Sequence, residues 1–414
     1  MKILIGGNAY GFGNIGDDAV LAGIVAAIDA ERPDSELCIE SHSGEPLAFV
    51  GRPHRGIRAG DWRVFGEALE WCDVFVVGGG TMIGDDLTLA FPLIHVAQRV
   101  ASAAIFGKRI AFWGCGANRV SSDVGRRITR GFVKASAFMS FRDDASADLC
   151  RNFGLVSGDR LSSFADPAFL VEPQPTMLTE AVMRRLRRHD KTIGINLLNE
   201  SWAGQSGYKH AVAEACNRIY AQTGAVPVFF SNEIRPGAFF DVMANFETTR
   251  WLECPYEMLY PEYYAPQEMI EIVSGFSSVF SMRMHPLIFA SLTGVPFDGI
   301  SRVDKMDHFF ERFGRRSCCR MDDVNADVVF EAMMRLLDAP KTVLPQVPVF
   351  REEALACAED FFRRIDEAPG CARCPLEILR YAPYGSKMHK LFCYLSYGID
   401  GIQEIVGGFR HDAR

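Results

Sequence analysis

The chain lacks a basic excess. Its 44 lysines and arginines are outnumbered by 52 aspartates and glutamates, which gives a formal net charge of -8. Proteins that hold nucleic acid through the phosphate backbone need a surplus of positive charge, so this balance argues against a nucleic-acid partner. Any anionic ligand must therefore meet a local cationic site.

Long apolar runs are also missing. No stretch of about 18 uncharged apolar residues occurs, because Arg283 and His285 interrupt the best candidate and Gln98 and Arg99 interrupt the next. The strand-like start from Met1 to Gly6 contains a lysine and lacks the apolar core of a secretory signal. We therefore expect a cytoplasmic protein.

A complete metal-binding pattern is absent. Most of the 12 cysteines are scattered through apolar segments, as is typical of reduced core residues in the cytoplasm. Cys371 and Cys374 form one C-x-x-C, but no second such pair or H-x-x-x-H completes a zinc site. We expect neither a metal nor an organic cofactor, and structural thiols at this pair, with a redox or metal role as the alternative.

The length and the segment pattern predict two domains. A chain of 414 residues exceeds one ordinary core. Short apolar runs alternate with helical patterns, which predicts an α/β fold with parallel, doubly wound sheets. The proline-rich segment Val171 to Thr176 is the expected linker. We therefore predict two similar α/β domains, residues 1–172 and 177–345, which face each other across a cleft.

Residues 346–414 differ in character and are expected to form a C-terminal extension. Arg351 to Glu367 predicts a charged amphipathic helix, and the residues after Ile378 are rich in aromatic and basic side chains. We expect this helical and aromatic extension to pack against its own protein. Peripheral contact with a membrane or a partner is the alternative.

Arg283 and His285 form the most informative pair. The apolar run Ser278 to Met282 predicts a buried strand, and Pro286 to Leu292 predicts a helix that begins at the proline. Both side chains are then expected in a loop at the carboxyl end of a strand, beside a helix N-terminus, where open α/β sheets bind anions. This favours chemistry on a phosphate or a carboxylate. The alternative is a core arginine paired with a carboxylate, beside a structural histidine.

The first glycine-rich loop matches a dinucleotide fingerprint only superficially. Gly11 to Gly16 fits G-x-G-x-x-G, and Glu40 ends the next strand where a ribose-binding acid is expected. However, Gly11 lies too far beyond the first strand, and Asp17 and Asp18 would repel a pyrophosphate. We instead expect a flexible loop that presents Asn14 and Asp17 to the cleft. Helix capping by Asp17 or Asp18 is the alternative.

Two further glycine loops follow apolar strands. One follows Val74 to Val77 directly and consists of Gly78, Gly79 and Gly80. The other contains Gly114 and Gly116. Glycine lets a ligand approach the backbone closely, so we expect a binding surface at this edge of the sheet, with tight packing as the alternative.

A second arginine stands at a strand end. Arg142 follows the apolar run Phe138 to Phe141, and Asp143 or Asp144 is expected to cap the next helix. Each predicted domain thus supplies one arginine. Two guanidinium groups that converge on a cleft would suit a small ligand with a phosphate and a carboxylate, because each planar group binds an oxyanion through two hydrogen bonds.

Taken in order, these motifs resemble the polysaccharide pyruvyl transferase family over about residues 1–310. The segments that carry the resemblance are Asn14 to Ala19, Gly78 to Gly80, Ser140 to Ser146, Asp166 to Ala168, Arg283 to Pro296, and Lys305. The resemblance implies two Rossmann-like domains in a glycosyltransferase-B-like arrangement, with the N-terminal domain on the acceptor side and the C-terminal domain on the donor side.

The resemblance also implies an activity: transfer of a pyruvyl group from phosphoenolpyruvate to two hydroxyls of a sugar, which gives a cyclic ketal and phosphate. By position, Arg142, Arg283, His285 and Lys305 would bind the donor, and His285 would also be the essential catalytic histidine. The acceptor would belong to an exopolysaccharide, a cell-wall glycan or a lipid-linked precursor. An imidazole is suited to this chemistry, because it can deliver a proton to the methylene carbon or accept one from a hydroxyl.

Two other functions remain open. A nucleotide-sugar-dependent glycosyltransferase would share the two-domain arrangement and would need a carboxylate for the ribose, for which Glu268 or Glu271 is the candidate. A non-catalytic binding module on the same fold is the second alternative.

Overall fold

The computed structural model describes residues 1–85, 90–153, 161–199, 207–235, 240–371 and 374–382. These residues form two compact α/β units. The first contains Met1–Phe12, Ile24–Pro167 and the described residues from Glu353 on, and the second contains Gly13–Gly23 and Ala168–Glu352.

The described part of the first unit contains an eight-stranded parallel sheet. Its strands are β1 (Lys2–Tyr10), β2 (Glu36–Ser41), β3 (Arg55–Arg58), β4 (Val74–Gly78), β5 (Thr81–Ile83), β6 (Arg109–Ala117), β7 (Phe138–Phe141) and β8 (Leu161–Ser163). The order is β3-β2-β1-β4-β6-β7-β8, and β5 pairs with β6. Every residue of β4 and β7 is buried. Strands covered on both faces appear as continuous apolar runs, which explains why these were predictable.

The helices between these strands are α1 (Ile15–Glu31), α2 (Trp62–Trp71), α3 (His95–Ile105), α4 (Asp123–Ala135) and α5 (Asp144–Asn152). Polar side chains fix where several of them begin. Asp61, Ser122 and Asp143 each accept a hydrogen bond from a backbone N–H of the first turn of α2, α4 and α5 respectively. These amides have no partner inside the helix, so each cap stabilises its helix by about 1 kcal/mol.

The second unit is also built on a parallel sheet. Its strands are β9 (Thr192–Asn196), β10 (Val226–Phe229), β11 (Glu257–Met258), β12 (Ser278–Ser281) and β13 (Phe297–Asp298), in the order β11-β10-β9-β12-β13. A separate parallel pair consists of β14 (Ile300–Ser301) and β15 (Cys319–Arg320). The helices are α6 (Met177–Leu186), α7 (Gly207–Thr223), α8 (Phe240–Thr248), α9 (Pro266–Ser274), α10 (Met284–Leu292), α11 (Asp304–Arg312) and α12 (Ala326–Asp338).

The described part of the C-terminal extension forms α13 (Gln346–Glu367) and α14 (Leu376–Leu379). On α13, Phe361 packs against Trp113, with ring centroids 4.5 Å apart. On α14, Ile378 and Leu379 are fully buried in the core of the first unit. This part therefore packs against its own protein, as predicted. The remainder of the predicted extension, residues 383–414, lies outside the described residues.

The division into units differs in two places from the expected domain ranges. Gly13–Gly23 was expected in the N-terminal domain but groups with the second unit, and residues from Glu353 on group with the first. Each of these segments groups with the unit that it contacts and not with the unit nearest to it in sequence. The backbone around Asn14 pairs with the segment Asn232–Ile234, and the second half of α13 supplies Phe361 and Phe362 to the first core.

None of the described helices is both long and apolar enough to cross a membrane.

Candidate functional site

Arg283 and His285 lie at the carboxyl edge of the second sheet. β12 ends at Ser281, and α10 begins at Met284 rather than at the expected Pro286. Arg283 is therefore the N-cap residue, and His285 belongs to the first helical turn instead of a loop. A proline is tolerated in that turn because the backbone N–H it lacks would have no partner within the helix.

Two buried carboxylates hold the Arg283 side chain. Its Nε donates to Asp241 Oδ1 at 2.7 Å, and its Nη2 donates to Glu233 Oε2 at 2.6 Å. Burial by itself lowers the pKa of the guanidinium, but the two carboxylates outweigh this effect and leave its pKa above the ordinary value. Arg283 is therefore paired with carboxylates, as the alternative interpretation of the sequence had it. A donor-binding role for Arg283 stays a prediction.

Asp241 is the central acceptor of this network. It is fully buried, and its Oδ2 accepts from Asn196 Nδ2 at 3.0 Å and from the backbone N–H groups of Asn232 and Glu233. A buried carboxylate is tolerated only when such partners replace water. The network therefore fixes the ends of β9 and β10 relative to Arg283.

Charge in this cluster is balanced. Arg235 also forms an ion pair with Glu233, so two arginines face two carboxylates. The cluster therefore adds no net positive charge for an anion. Attraction for a phosphate in this unit must then come from the N-terminus of α10 and from residues outside the cluster.

The loop after β1 contacts this same edge. Ile15 N donates to Asn232 O at 3.0 Å, and Ile234 N donates to Gly13 O at 2.8 Å. Asn14 Oδ1 accepts from Gly16 N at 3.1 Å and from Asp17 N at 3.4 Å. Asn14 is thus the cap of α1. The alternative interpretation, capping by Asp17 or Asp18, is wrong because the helix begins two residues earlier than Asp17.

His285 packs directly on the backbone of Gly16. A Cβ atom at Gly16 would lie 2.2 Å from Nδ1 of His285 and 2.7 Å from its Cγ. Real Cβ atoms do not approach other atoms so closely, so glycine is required here by the imidazole rather than by a left-handed backbone. The first turns of α1 and α10 therefore form one site.

Asp18 extends the site toward the segment before α9. Its carboxylate is buried and accepts from the Tyr263 hydroxyl at 2.7 Å. Burial and the adjacent Asp18 charge raise the pKa of the Tyr263 hydroxyl far above its ordinary value, so the tyrosine remains a donor. This contact fixes the first turn of α1, which carries Gly16.

Arg142 occupies the corresponding place in the first unit, at the end of β7. Its side chain is buried, and its two terminal nitrogens lie 3.3 Å from Asp166 Oδ2 and from Thr81 Oγ1. Its Nε is buried and makes no hydrogen bond within the described residues. Asp143 caps α5, as predicted. Convergence of Arg142 and Arg283 on one ligand stays a prediction.

Protein atoms fill the space beside two of the glycines. The guanidinium of Arg142 lies against Gly116, where a Cβ would be 2.9 Å from Nη2. The Tyr10 hydroxyl donates to Gly78 O, and a Cβ at Gly78 would lie 2.5 Å from that hydroxyl. Close packing accounts for both glycines. Gly79 and Gly80 adopt left-handed conformations, with φ of 61° and 72°, and turn the chain from β4 into β5.

Glu40 is unavailable to a ribose. Both of its carboxylate oxygens accept from Arg99, at 2.7 and 2.5 Å, and the pair is buried. Arg99 Nη1 also lies 3.3 Å from His95 Nδ1. Burial, with the Arg99 charge, lowers the pKa of His95 to about 4. The acid expected in a dinucleotide site is thus part of a core ion pair, in agreement with rejection of that function. The expected gap between the first strand and Gly11 is wrong, however, because β1 continues to Tyr10 and Gly11 follows it directly.

Lys305 lies in the first turn of α11, directly after β14. Arg320 of β15 forms ion pairs with Asp304 and Asp307 on the same helix. The element that carries Lys305 is therefore tied to the small β14–β15 pair.

Glu233, Asp241, Gly16 and Tyr263 were not predicted as parts of a site. Glu233 had a usable signal, because it follows the apolar strand β10 as Arg283 follows β12. Asp241 had none, since it lies among apolar residues of α8. No group of three or more histidine, cysteine or acidic side chains suited to a metal occurs among the described residues.

Comparison with solved structures identifies the class of fold. UDP-GlcNAc 2-epimerase from Neisseria meningitidis, bound to UDP-GlcNAc, matches with a TM-score of 0.58 at 11% identity over 89% of this chain and 100% of that chain. The Methanocaldococcus jannaschii enzyme of the same name matches with a TM-score of 0.59 at 11% identity, over 85% of this chain and 98% of that chain. HepE of Anabaena, in complex with UDP and glucose, matches with a TM-score of 0.57 at 11% identity, over 89% of this chain and 100% of that chain. The two Rossmann-like units are thus of the glycosyltransferase-B-like class.

The family follows from the sequence itself. The family model for polysaccharide pyruvyl transferase matches residues 14–302. The chain belongs to the polysaccharide pyruvyl transferase family, and it is a transferase. No curated protein sequence matches it.

Proposed function

We propose that the protein transfers a pyruvyl group from phosphoenolpyruvate to two hydroxyls of a sugar, forming a cyclic ketal and releasing phosphate. The main support for this proposal is the position of His285, which lies in the first turn of α10 and packs against Gly16. The chain that carries this histidine belongs to the pyruvyl transferase family. A titratable group at a helix N-terminus is suited to protonate an anionic substrate.

The reaction requires one proton on the methylene carbon of phosphoenolpyruvate. Protonation leaves positive charge at the carbon that carries the phosphate, and a sugar hydroxyl attacks that carbon. Loss of phosphate then allows the second hydroxyl to close the ketal ring, and both hydroxyl protons are released. His285 is assigned the proton transfer, because a positioned imidazole typically contributes about a hundredfold or more to such a step.

Binding of the donor is assigned to three cations. Arg142 is the strongest candidate, because its buried Nε can still donate a hydrogen bond to an oxyanion. Arg283 adds no net positive charge, because Asp241 and Glu233 balance it, so it is assigned only a hydrogen bond to the donor in a fixed orientation. Lys305, on α11, is the third. Asn14 and Asp17 are assigned to the acceptor side, as are the glycines of the β4–β5 turn.

The acceptor class is a sugar with two hydroxyls near enough to close one ring, within an exopolysaccharide, a cell-wall glycan or a lipid-linked precursor. We place the reaction in the cytoplasm, where phosphoenolpyruvate is available, with contact to a membrane only if the acceptor is lipid-linked. No cofactor is assigned.

The competing function is transfer from a nucleotide sugar, since several proteins of similar fold were solved with UDP or a UDP-sugar. One observation counts against it. Glu268, a carboxylate expected to bind the ribose, instead accepts from Ala265 N at 2.9 Å and from the Thr176 hydroxyl at 2.9 Å. It therefore serves as a helix cap.

Product analysis separates the two functions. The protein is incubated with candidate glycans and either phosphoenolpyruvate or a panel of UDP-sugars, and released phosphate and UDP are measured with the mass of the glycan. We expect phosphate release and a pyruvyl ketal, both lost in His285→Ala. Release of UDP, or full turnover by a folded His285→Ala, would overturn the proposal.

A further inference from the structure

Cys318 and Cys319 are set apart from most other thiols in the chain. Among the described cysteines, only these two and Cys371 are partly exposed, and the others are buried. Their Sγ atoms lie 3.6 Å apart. In a regular strand adjacent side chains point to opposite faces, but Cys318 lies at a bend just before β15, and the short Sγ–Sγ distance shows that the two thiols lie side by side.

The separation of the sulfurs suits a chelate. Two thiolates bound to one ion at about 2.3 Å, with a tetrahedral angle between them, are roughly 3.8 Å apart. The observed 3.6 Å is close to this value. A disulfide, by contrast, needs about 2.05 Å between the sulfurs and usually a Cα separation above about 4.4 Å, whereas the Cα atoms of adjacent residues lie about 3.8 Å apart. The pair can therefore take up a soft ion with little movement, whereas oxidation would require the backbone to rearrange.

The surrounding contacts hold Cys318 in place. Its backbone N–H donates to Asp298 Oδ1 at 2.9 Å, and its Sγ lies 3.2 Å from Gly299 O. Across the small sheet Cys319 pairs with Ile300. These bonds fix the two thiols before any ligand arrives, which reduces the entropy lost on binding.

We propose that Cys318 and Cys319 form a two-thiol chelating site for soft, thiophilic ions and trivalent organoarsenicals. Thiolate ligands select such ions over harder ones. No third cysteine, histidine or acidic side chain completes a metal cluster among the described residues. The pair is therefore best suited to a ligand whose central atom has only two coordination positions left for the thiols. Trivalent phenylarsine oxide meets this condition, because its phenyl group occupies one position and two thiols fill the others.

The binding step is balanced without a change of oxidation state. Two As–S bonds form and the As–O bonds break, while the oxygen leaves as water with the two thiol protons. Arsenic remains trivalent, and both sulfurs remain at the thiolate level.

The thiol pair is connected to Arg283 through a chain of direct contacts. Gly299, which the Cys318 thiol contacts, packs so tightly on the backbone of Ser281 that a Cβ there would lie 1.8 Å from Ser281 O. Ser281 Oγ in turn accepts from Arg283 N at 2.9 Å. Binding removes the proton of the Cys318 thiol, so the contact with Gly299 O is lost beside the segment that positions Arg283.

The test uses the native 414-residue chain and phenylarsine oxide in the presence of excess glutathione. Glutathione removes the reagent from single thiols but not from a chelating pair. We expect one arsenical adduct by intact mass, which is lost in Cys318→Ser and in Cys319→Ser and is retained in the control Cys371→Ser. An adduct that glutathione removes, or one lost only in Cys371→Ser, would overturn the proposal.

A second measurement keeps the test decisive if a serine variant does not fold. Wild-type protein is treated with the arsenical, then with N-ethylmaleimide under native conditions, and the peptides are mapped. Protection of both Cys318 and Cys319 is expected. Alkylation of either one at the rate seen without arsenical would contradict the proposal, and neither result depends on the catalytic activity proposed above.

Discussion

The imidazole of His285 occupies the position that a side chain at Gly16 would need. A Cβ there would lie 2.2 Å from Nδ1 and 2.9 Å from Cε1. The contact joins the first turn of α1 to the first turn of α10, and the loop before it is held to the second unit by backbone hydrogen bonds to Asn232 and Ile234. The site around His285 is therefore assembled from two distant parts of the chain.

Substitution of Gly16 by alanine should displace the imidazole and preserve the fold. We expect phosphate release from phosphoenolpyruvate to fall about a hundredfold, because a displacement of about 1 Å in a catalytic group costs that much. Gly207→Ala is the matched control, since this glycine also lies in a first helical turn and a Cβ there meets nothing within 4 Å. Equal activity of the two variants would contradict the structural role of the contact.

Removal of the Asp241 charge should destabilise the second unit strongly. Asp241→Asn leaves the buried guanidinium of Arg283 with one carboxylate fewer, and loss of one partner of a buried ion pair costs about 3–5 kcal/mol. Asp327→Asn is the control, because that side chain is 80% exposed in its pair with Arg218 and should cost under about 1 kcal/mol. The free energy of unfolding of both variants is measured by urea denaturation. Similar midpoints for the two variants would refute the central role of Asp241.

Tyr263→Phe should lower stability by about 1–3 kcal/mol, because it leaves the buried Asp18 carboxylate without this donor. The melting temperature should fall accordingly. Tyr260→Phe serves as control, since Tyr260 is 74% exposed and its substitution should leave the melting temperature unchanged. If both variants melt like the wild type, the Tyr263–Asp18 bond does not hold the first turn of α1.

His95 should make stability depend on pH below neutrality. Its pKa falls from 6.5 to about 4 on folding, so the unfolded chain binds the proton more tightly. Stability from this group is therefore present above pH 6.5 and is lost as the pH falls toward 4, by at most about 3 kcal/mol. In His95→Gln this part of the loss should disappear, whereas the exposed His42→Gln should retain it. Unfolding curves between pH 4 and 7.5 test this, and identical pH profiles for wild type and His95→Gln would show the shift to be absent.

Buried strands and capped helices were predictable from local sequence. β7 is a run of four buried residues, three of them apolar, and its observed bounds equal the predicted ones. The sequence does not indicate the shortest strands. For example, β3 has a single fully buried residue between two arginines, and β11 is only two residues long. Local pattern detects a strand only when enough of its side chains are apolar.

Local sequence patterns were enough to predict the α/β class, the family and the positions of Arg142, Arg283 and His285 near the ends of strands. The partners of these side chains could be known only from the folded chain. In the folded chain, Gly13–Gly23 belongs to the second unit and His285 packs on Gly16. Arg283 forms ion pairs with Glu233 and Asp241. The physical reason is that strand order brings distant chain segments to one sheet edge. The partner that a charged side chain finds there depends on this order and not on its neighbours in sequence.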